Sequence, residues 1–384
     1  MEKIMANKKN AHELLGQLFG DLREVWVEIP GDCHLNCPYC FAFEKANDFS
    51  FEKVGQEIIR LDNKCDILSL EQILEAIQQF DENFPLTENE KLAGVKKRIA
   101  IPGAGEPFVN ERTRYYLYGI IEECYKRDIV LTVFTTGDKI TQQDMDRLEK
   151  YGNCVKLYIK RNSRHPEIQD KLVGRKGYTV ERERVLAELI TRGFNNGRLG
   201  VVTPIMHENY QEAEELMSWA RSNNVEFDAD TVIDRGRGRL CGCKFKRGEN
   251  DELIATLKKL QILDRDKFGN NWELTSSYVA SNPCTRFDHH LYIKRDGSVA
   301  PCVGSPQICY GNIRTQSLKE IWNGKVAQII RKHEISGVCA GCQNYKDNKC
   351  KSCLARSTDD SFNQEAILAT GKIPTVGCGT IGPK

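Results

Sequence analysis

Between Arg23 and Asp234 short β-rich runs alternate with helical patterns six times, and a chain written that way has few folds open to it. Glu24 to Ile29 reads as a strand, and Ser69 to Phe80 has helical apolar spacing with Ser69 as N-cap. Arg98 to Ile101 is a short apolar run that stops at Pro102-Gly103. Glu111 to Lys126 reads as a helix, Ile129 to Phe134 as a strand, Gln142 to Tyr151 as a helix and Val155 to Ile159 as a strand. Val180 to Thr191 is then a helix closed by Gly193, Leu199 to Ile205 a strand, Tyr210 to Ser222 a helix and Val225 to Ile233 the sixth strand. Six βα units imply a parallel sheet with helices outside. Six are too few to close an eight-stranded barrel. The predicted fold is therefore α/β, a partial (β/α)6 TIM-type barrel over residues 23–235, with its chemistry at the C-terminal ends of the strands.

The remaining segments divide into an N-terminal extension (1–22), a linker with one helix from Glu252 to Leu263 (236–280), and a small loop-rich C-terminal domain (281–384). The last has little alternating pattern, so bound clusters rather than an apolar core are expected to hold it together. Lys plus Arg total 55 against 54 Asp plus Glu, a net charge of +1, which does not suggest a polyanion as main partner and gives no reason to expect nucleic acid binding. The basic runs Lys96-Lys97-Arg98 and Arg235 to Arg239 read as solvated faces. Met1 to Asn10 is polar, no signal-peptide core follows, and no run is long enough to span a membrane, so a cytoplasmic protein is expected. Sixteen cysteines in such a chain point to metal or cluster ligation rather than disulfides.

Three of them form the CxxxCxxC segment Cys33-His34-Leu35-Asn36-Cys37-Pro38-Tyr39-Cys40, directly after the first strand. Thiolates this closely spaced can ligate three irons of one cubane cluster and leave the fourth iron open to bind and reduce a ligand. Zinc would want four closed ligands, and His34 is too near Cys33 to complete such a site. A redox pair made of Cys37 and Cys40 alone would leave Cys33 idle.

CxxxCxxC with an aromatic before its last cysteine, after the first strand of a partial barrel, resembles the radical SAM superfamily. Gly103-Ala104-Gly105-Glu106-Pro107 is similar to that family's GGEP motif, with Ala104 in place of the second glycine. The resemblance implies a [4Fe-4S] cluster on Cys33, Cys37 and Cys40 that reductively cleaves S-adenosylmethionine to a 5′-deoxyadenosyl radical, which abstracts a substrate hydrogen. It places Gly103, Gly105 and Glu106 on the methionine ammonium and the main chain near Tyr39 on the adenine. After the fourth strand, where many relatives carry a serine and an acid, this chain reads Lys160-Arg161-Asn162-Ser163. Lys160 is placed on the methionine carboxylate and Asn162 or Ser163 on the ribose. Val202 and Thr203 read first as core.

The later cysteines resemble the SPASM extension of the same enzymes, which carries two auxiliary [4Fe-4S] clusters. Cys284 and Cys302 fit its first element; the middle block, Cys339-x2-Cys342-x7-Cys350-x2-Cys353, departs from the usual spacing but keeps the order, and Cys378 closes it. By order, Cys284, Cys302 and Cys353 would hold one cluster, with Cys309, His290 or an open iron completing it. Cys339, Cys342, Cys350 and Cys378 would hold the other. Paired zinc sites are the rival for this block. Cys241 and Cys243 stay unassigned, and Cys65, Cys124 and Cys154 read as structural thiols.

Such enzymes mostly modify peptides or proteins, drawing electrons from a flavodoxin or ferredoxin-type donor. A peptide maturase is therefore the first expectation. Only 32 residues precede Cys33, too few for the N-terminal peptide-binding domain of many relatives, so a separate docking protein or a small substrate is expected. The alternative is a small-molecule dehydrogenase or epimerase acting on a sugar or aminocyclitol-like substrate. Sulfatase maturation fits less well, since Val303 follows Cys302 where such relatives carry Asp. The non-catalytic reading is an iron–sulfur scaffold.

Overall fold

A computed structural model describes residues 21–43, 49–54, 57–63, 66–233, 235–245, 250–272, 286–305, 307–347, 352–354 and 364–376. Its strands begin with β1 (Glu24–Val27), the hairpin β2 (Phe49–Val54) and β3 (Glu57–Asp62), and β4 (Arg98–Ile101). β5 (Val130–Thr135), β6 (Val155–Lys160), β7 (Leu199–Ile205) and β8 (Glu226–Thr231) follow. β1, β4, β5, β6, β7 and β8 lie side by side in that order, every pair parallel, as the six βα units require. The helices between them start where the sequence supplies caps. Ser69 with Gln72, Asn110 with Thr113 and Thr141 with Asp144 each close a reciprocal capping box.

The two faces of the sheet differ. Val25, Val27, Ile99, Ile101, Leu131, Val133, Leu157, Ile159, Leu199 and Val201 are buried in the main core. The alternate residues Trp26, Thr132, Phe134, Lys156, Tyr158 and Lys160 are only half-buried. Parallel strands covered on both faces read as continuous apolar runs. The strict alternation of β5 and β6 instead marks a second face that is only partly covered. Trp26, Phe134 and Tyr158 form a row across it, with ring centroids 5.6 and 5.4 Å apart.

The C-terminal region corrects one expectation. β9 (His290–Ile293) pairs in parallel with β1 on the side away from β4, and β10 (Ser298–Ala300) and β11 (Gly311–Asn312) extend the same sheet. Leu291, Ile293, Val299, Ile308, Leu318, Ile321 and Trp322 belong to the same apolar core as the barrel. The region thus has an ordinary packed core beside whatever clusters it binds. Strands of two to four residues are too short to carry a readable period. β12 (Ile335–Gly337) and β13 (Ile373–Thr375) form a separate parallel pair. Two smaller corrections follow: the linker helix runs Asn250–Phe268, and the helix before β8 is Ala213–Ser222 behind a 3-10 turn at Tyr210–Glu212. Among the described residues no helix is long and apolar enough to cross a membrane.

Candidate active site

The triplet loop leaves β1 at the C-terminal edge of the sheet and is pinned from three sides. Cys33 and Arg60 of β3 exchange two backbone hydrogen bonds, 2.9 and 2.8 Å. Asn36 N donates to Val173 O at 3.0 Å, at the end of the helix Pro166–Val173. Arg237 N donates to Cys40 O at 3.0 Å. Gly174, at φ +67°, caps that helix where a side chain would stand 2.7 Å from Asn36 O. The hairpin therefore anchors the cluster loop, a role its position in a long inter-element stretch did not reveal.

Buried acids knit the base of the loop. Asp32 accepts from Asp62 N at 2.7 Å and Asn110 Nδ2 at 2.9 Å, and Asp62 accepts from Gly31 N at 2.9 Å and pairs with Arg295 at 2.9 Å. Gly105 is needed here: an added Cβ would lie 2.7 Å from Gly31 C and 2.8 Å from Asp32 O. Glu106 is fully buried, and its carboxylate accepts from Thr135 Oγ1 (2.6 Å), Thr136 N (2.6 Å) and Phe108 N (3.1 Å). Burial raises its pKa above the ordinary carboxylate value. The GAGEP stretch thus ties the ends of β4 and β5 to the triplet loop.

Cations surround the three sulfurs. Burial opposes charge on Cys33, yet His34 and Arg60 hold its thiol below the usual range. Burial pushes Cys37 up to about 11, with Lys160 Nζ 3.8 Å from its sulfur. His34, buried but hydrogen-bonded through Nε2 to Asp138 Oδ2 at 2.7 Å, is raised to about 9. Asp138 also accepts from Arg175 at 2.6 Å and Thr136 Oγ1 at 2.7 Å. Positive groups at this density favour thiolates and suit an anionic thiolate-bound cluster. No three Cys, His, Asp or Glu side chains among the described residues already converge as on a single ion. A cubane spreads its ligating sulfurs over separate iron corners, so the open triplet fits a cluster better than one metal ion.

The proposed co-substrate residues separate in the structure. Lys160 points at the triplet, its Nζ 5.3 Å from the Tyr39 ring centroid. Asn162 Nδ2 donates to Tyr39 Oη, while its buried Oδ1 has no hydrogen-bond partner. Ser163 Oγ is committed to Glu212 at 2.7 Å and accepts from His165 N at 3.0 Å. Of the two ribose candidates Asn162 is the one with a free acceptor. Gly103, at φ +70°, turns the chain out of β4. Thr203 is buried, its hydroxyl on Arg161 O at 2.7 Å.

Cys241 and Cys243 are disulfide-bonded; Cys243 belongs to the apolar cluster of Leu35, Cys37, Tyr39, Met206 and Val232, and Cys241 packs against it. Cys124 is buried in the main core and Cys154 donates to Ile129 O at 3.2 Å, as structural thiols do. Of the C-terminal ligand candidates, Cys284, Cys350 and Cys378 lie outside the described residues, as does Cys65. Cys302 follows β10 by two residues, with Sγ 2.9 Å from Ser305 Oγ, and Cys309 donates to Gly311 O at 3.3 Å. The β9–β10 register ends at Ala300 opposite Tyr292, two residues before Cys302 and two after His290, whose ring lies edge-on to Trp26 at 5.5 Å. Cys339 N donates to Thr375 Oγ1 at 3.0 Å, Cys342 N to Cys339 O at 3.0 Å, and Cys353 is half-buried.

The Radical SAM superfamily model matches residues 27–220, just over half of the chain, and the SPASM iron-sulfur cluster-binding domain matches residues 284–353. Among solved structures, SuiB of Streptococcus suis bound to S-adenosylmethionine aligns over 87% of this chain and 72% of its own, at 14% identity and a TM-score of 0.59. SuiB bound to the precursor peptide SuiA aligns over 87% and 73%, at 15% identity and a TM-score of 0.60. The native anSMEcpe with bound AdoMet and Cp18Cys peptide aligns over 84% and 87%, at 14% identity and a TM-score of 0.57. At these identities the likeness concerns the fold. A search of curated proteins returned no match.

Proposed function

The chain belongs to the radical SAM superfamily and carries a C-terminal SPASM region, and from that premise we propose that it modifies a peptide or protein by hydrogen abstraction. The observation that carries this reading is the half-buried face of the sheet, whose Trp26–Phe134–Tyr158 row would offer a platform to an extended chain and whose Lys160 stands 3.8 Å from the Cys37 sulfur. The peptide-bearing structures of SuiB and anSMEcpe support it. Cys33, Cys37 and Cys40 would hold the cluster, with Arg60, His34 and Lys160 balancing its thiolate charge. Bound there, the cluster would cleave S-adenosylmethionine reductively and supply the radical that removes the substrate hydrogen. Tyr39 and Asn162 would orient the nucleoside, Gly103 and Gly105 would let the backbone approach the methionine end, and Glu106 would fix that turn.

The register of β12 and β13 supports the interleaved auxiliary ligands. β13 ends at Thr375, three residues before Cys378, and pairs in parallel with β12, which ends at Gly337, two residues before Cys339. Both chains leave that ladder at the same end, so Cys378 can reach Cys339 and Cys342. Cys302 and Cys353, with Cys284, would take the other cluster.

The test is deuterium transfer from labelled candidate peptides into 5′-deoxyadenosine by the reconstituted, reduced enzyme. Transfer from a peptide is expected. Transfer only from a sugar-like small molecule would replace the maturase reading with the dehydrogenase or epimerase one.

A further inference from the structure

The electron that starts the reaction must enter from outside, and the surface over the triplet has a distinct chemistry. Asn36 and Pro38, between the three cysteines, are exposed. Two segments flank them. Gly174 packs on Asn36 O and carries Lys171 and Lys176 to either side. Gly238 packs on Tyr39 O, between Arg237 and Arg239, and Arg237 bonds the Asn36 side chain. From Lys171 to Lys176 and from Arg235 to Lys244 the sequence has no acidic residue, although the whole chain is almost neutral at +1. Of the acids that flank these runs, Asp170 is spent on Gly177 N and on Thr179 N and Oγ1, and Asp234 lies outside the described residues; within the first run Arg175 is paired with Asp138 and Glu57. Lys171, Lys176 and Arg239 are exposed, and Leu240 beside them is 88% exposed. The run Arg235 to Arg239, read from sequence as a solvated face, here borders the cluster loop.

We propose that this cationic rim, together with the exposed Leu240 and Pro38, docks an acidic one-electron carrier protein of the flavodoxin class over the triplet. The inference rests on the radical SAM reading of Cys33, Cys37 and Cys40 and adds the partner's landing surface. Short-lived electron-transfer encounters use small interfaces whose rate is set by charge steering and weakened by salt. One electron passes from the carrier's flavin hydroquinone, which becomes the semiquinone, to the oxidised cluster, and no bond is made or broken.

The experiment mixes reconstituted full-length enzyme with flavodoxin hydroquinone and, separately, with dithionite, and follows cluster reduction by absorbance and electron paramagnetic resonance. In the triple variant K171E/K176E/R239E, reduction by flavodoxin is expected to slow by about tenfold or more at low salt. Reduction by dithionite, iron content and circular dichroism are expected to stay as in the parent. In the parent, the flavodoxin rate is expected to fall as salt rises from 0.01 to 0.5 M, because screening shortens the reach of the rim to a few ångströms (about 30 Å at 0.01 M, about 3 Å at 1 M). An unchanged flavodoxin rate in the variant, a salt-independent parent rate, or an equal slowing with dithionite would overturn the docking surface. A parent protein with no cluster that dithionite can reduce would overturn the radical SAM reading along with it.

Discussion

Asn162 and Ser163 are neighbours with similar polarity, yet the fold gives them different work. Ser163 has its hydroxyl satisfied by Glu212 and the His165 amide, whereas Asn162 keeps a buried oxygen without a partner beside Tyr39. Replacing Asn162 by Ala is expected to weaken S-adenosylmethionine binding about tenfold, or about 1.4 kcal/mol. Ser163→Ala is expected to leave affinity little changed and to lower stability by about 1 kcal/mol. Calorimetric titration of the reconstituted proteins and urea denaturation separate the two effects. Equal losses of affinity would reject the assignment. The sequence named both residues as candidates but contained nothing to rank them, because the ranking depends on Glu212, about 50 residues away. His34 shows the same limit. Its partner Asp138 and the relay to Arg175 come from different strand ends, so of this cage only the thiols and Lys160, the latter expected on the methionine carboxylate, were legible.

At the scale of elements, the long helix Asn250–Phe268 packs on the barrel through Leu253, Leu257 and Leu260, and one buried carboxylate adds to that contact. Asp264 accepts from Arg221 Nε at 2.9 Å and Nη2 at 2.8 Å, on the helix Ala213–Ser222, and from Trp272 Nε1 at 2.9 Å. Burial alone would raise its pKa, but the Arg221 contacts win and hold it below the ordinary value. With the folded value depressed, the stabilisation is complete above the unfolded aspartate value near 3.9 and is lost as pH falls through the lower, folded value. The urea midpoint of the parent should therefore drop toward pH 3, whereas Asp264→Asn should start lower at pH 7 and lose less on acidification. Parallel pH profiles would show that the pair contributes nothing. Elements with long, capped periods, such as Glu111–Lys126 and Leu199–Ile205, were legible to the residue. The hairpin Phe49–Asp62 and the strands of the C-terminal region were not. Their pairing partners supply the stability that their short patterns lack.

Across the whole molecule the ten candidate cluster cysteines make a countable claim. Three cubanes require about twelve irons per chain, and removing Cys339 and Cys342 together should lower the count to about eight with the triplet's spectrum kept. About four irons accompanied by zinc would instead make the C-terminal sites zinc sites.

The chain by itself determined the parallel α/β architecture, because the alternation of apolar periods is a local property of consecutive residues. It also kept Cys33, Cys37 and Cys40 within one eight-residue segment after β1, which makes a single centre the expectation there. Only the tertiary structure decided what surrounds that centre. Arg60 arrives on a hairpin, Lys160 on β6, Asp138 after β5, and Arg295 after a strand that the C-terminal region adds beside β1. These contacts join residues tens to hundreds of positions apart, and their energies depend on burial and distance that no local pattern encodes.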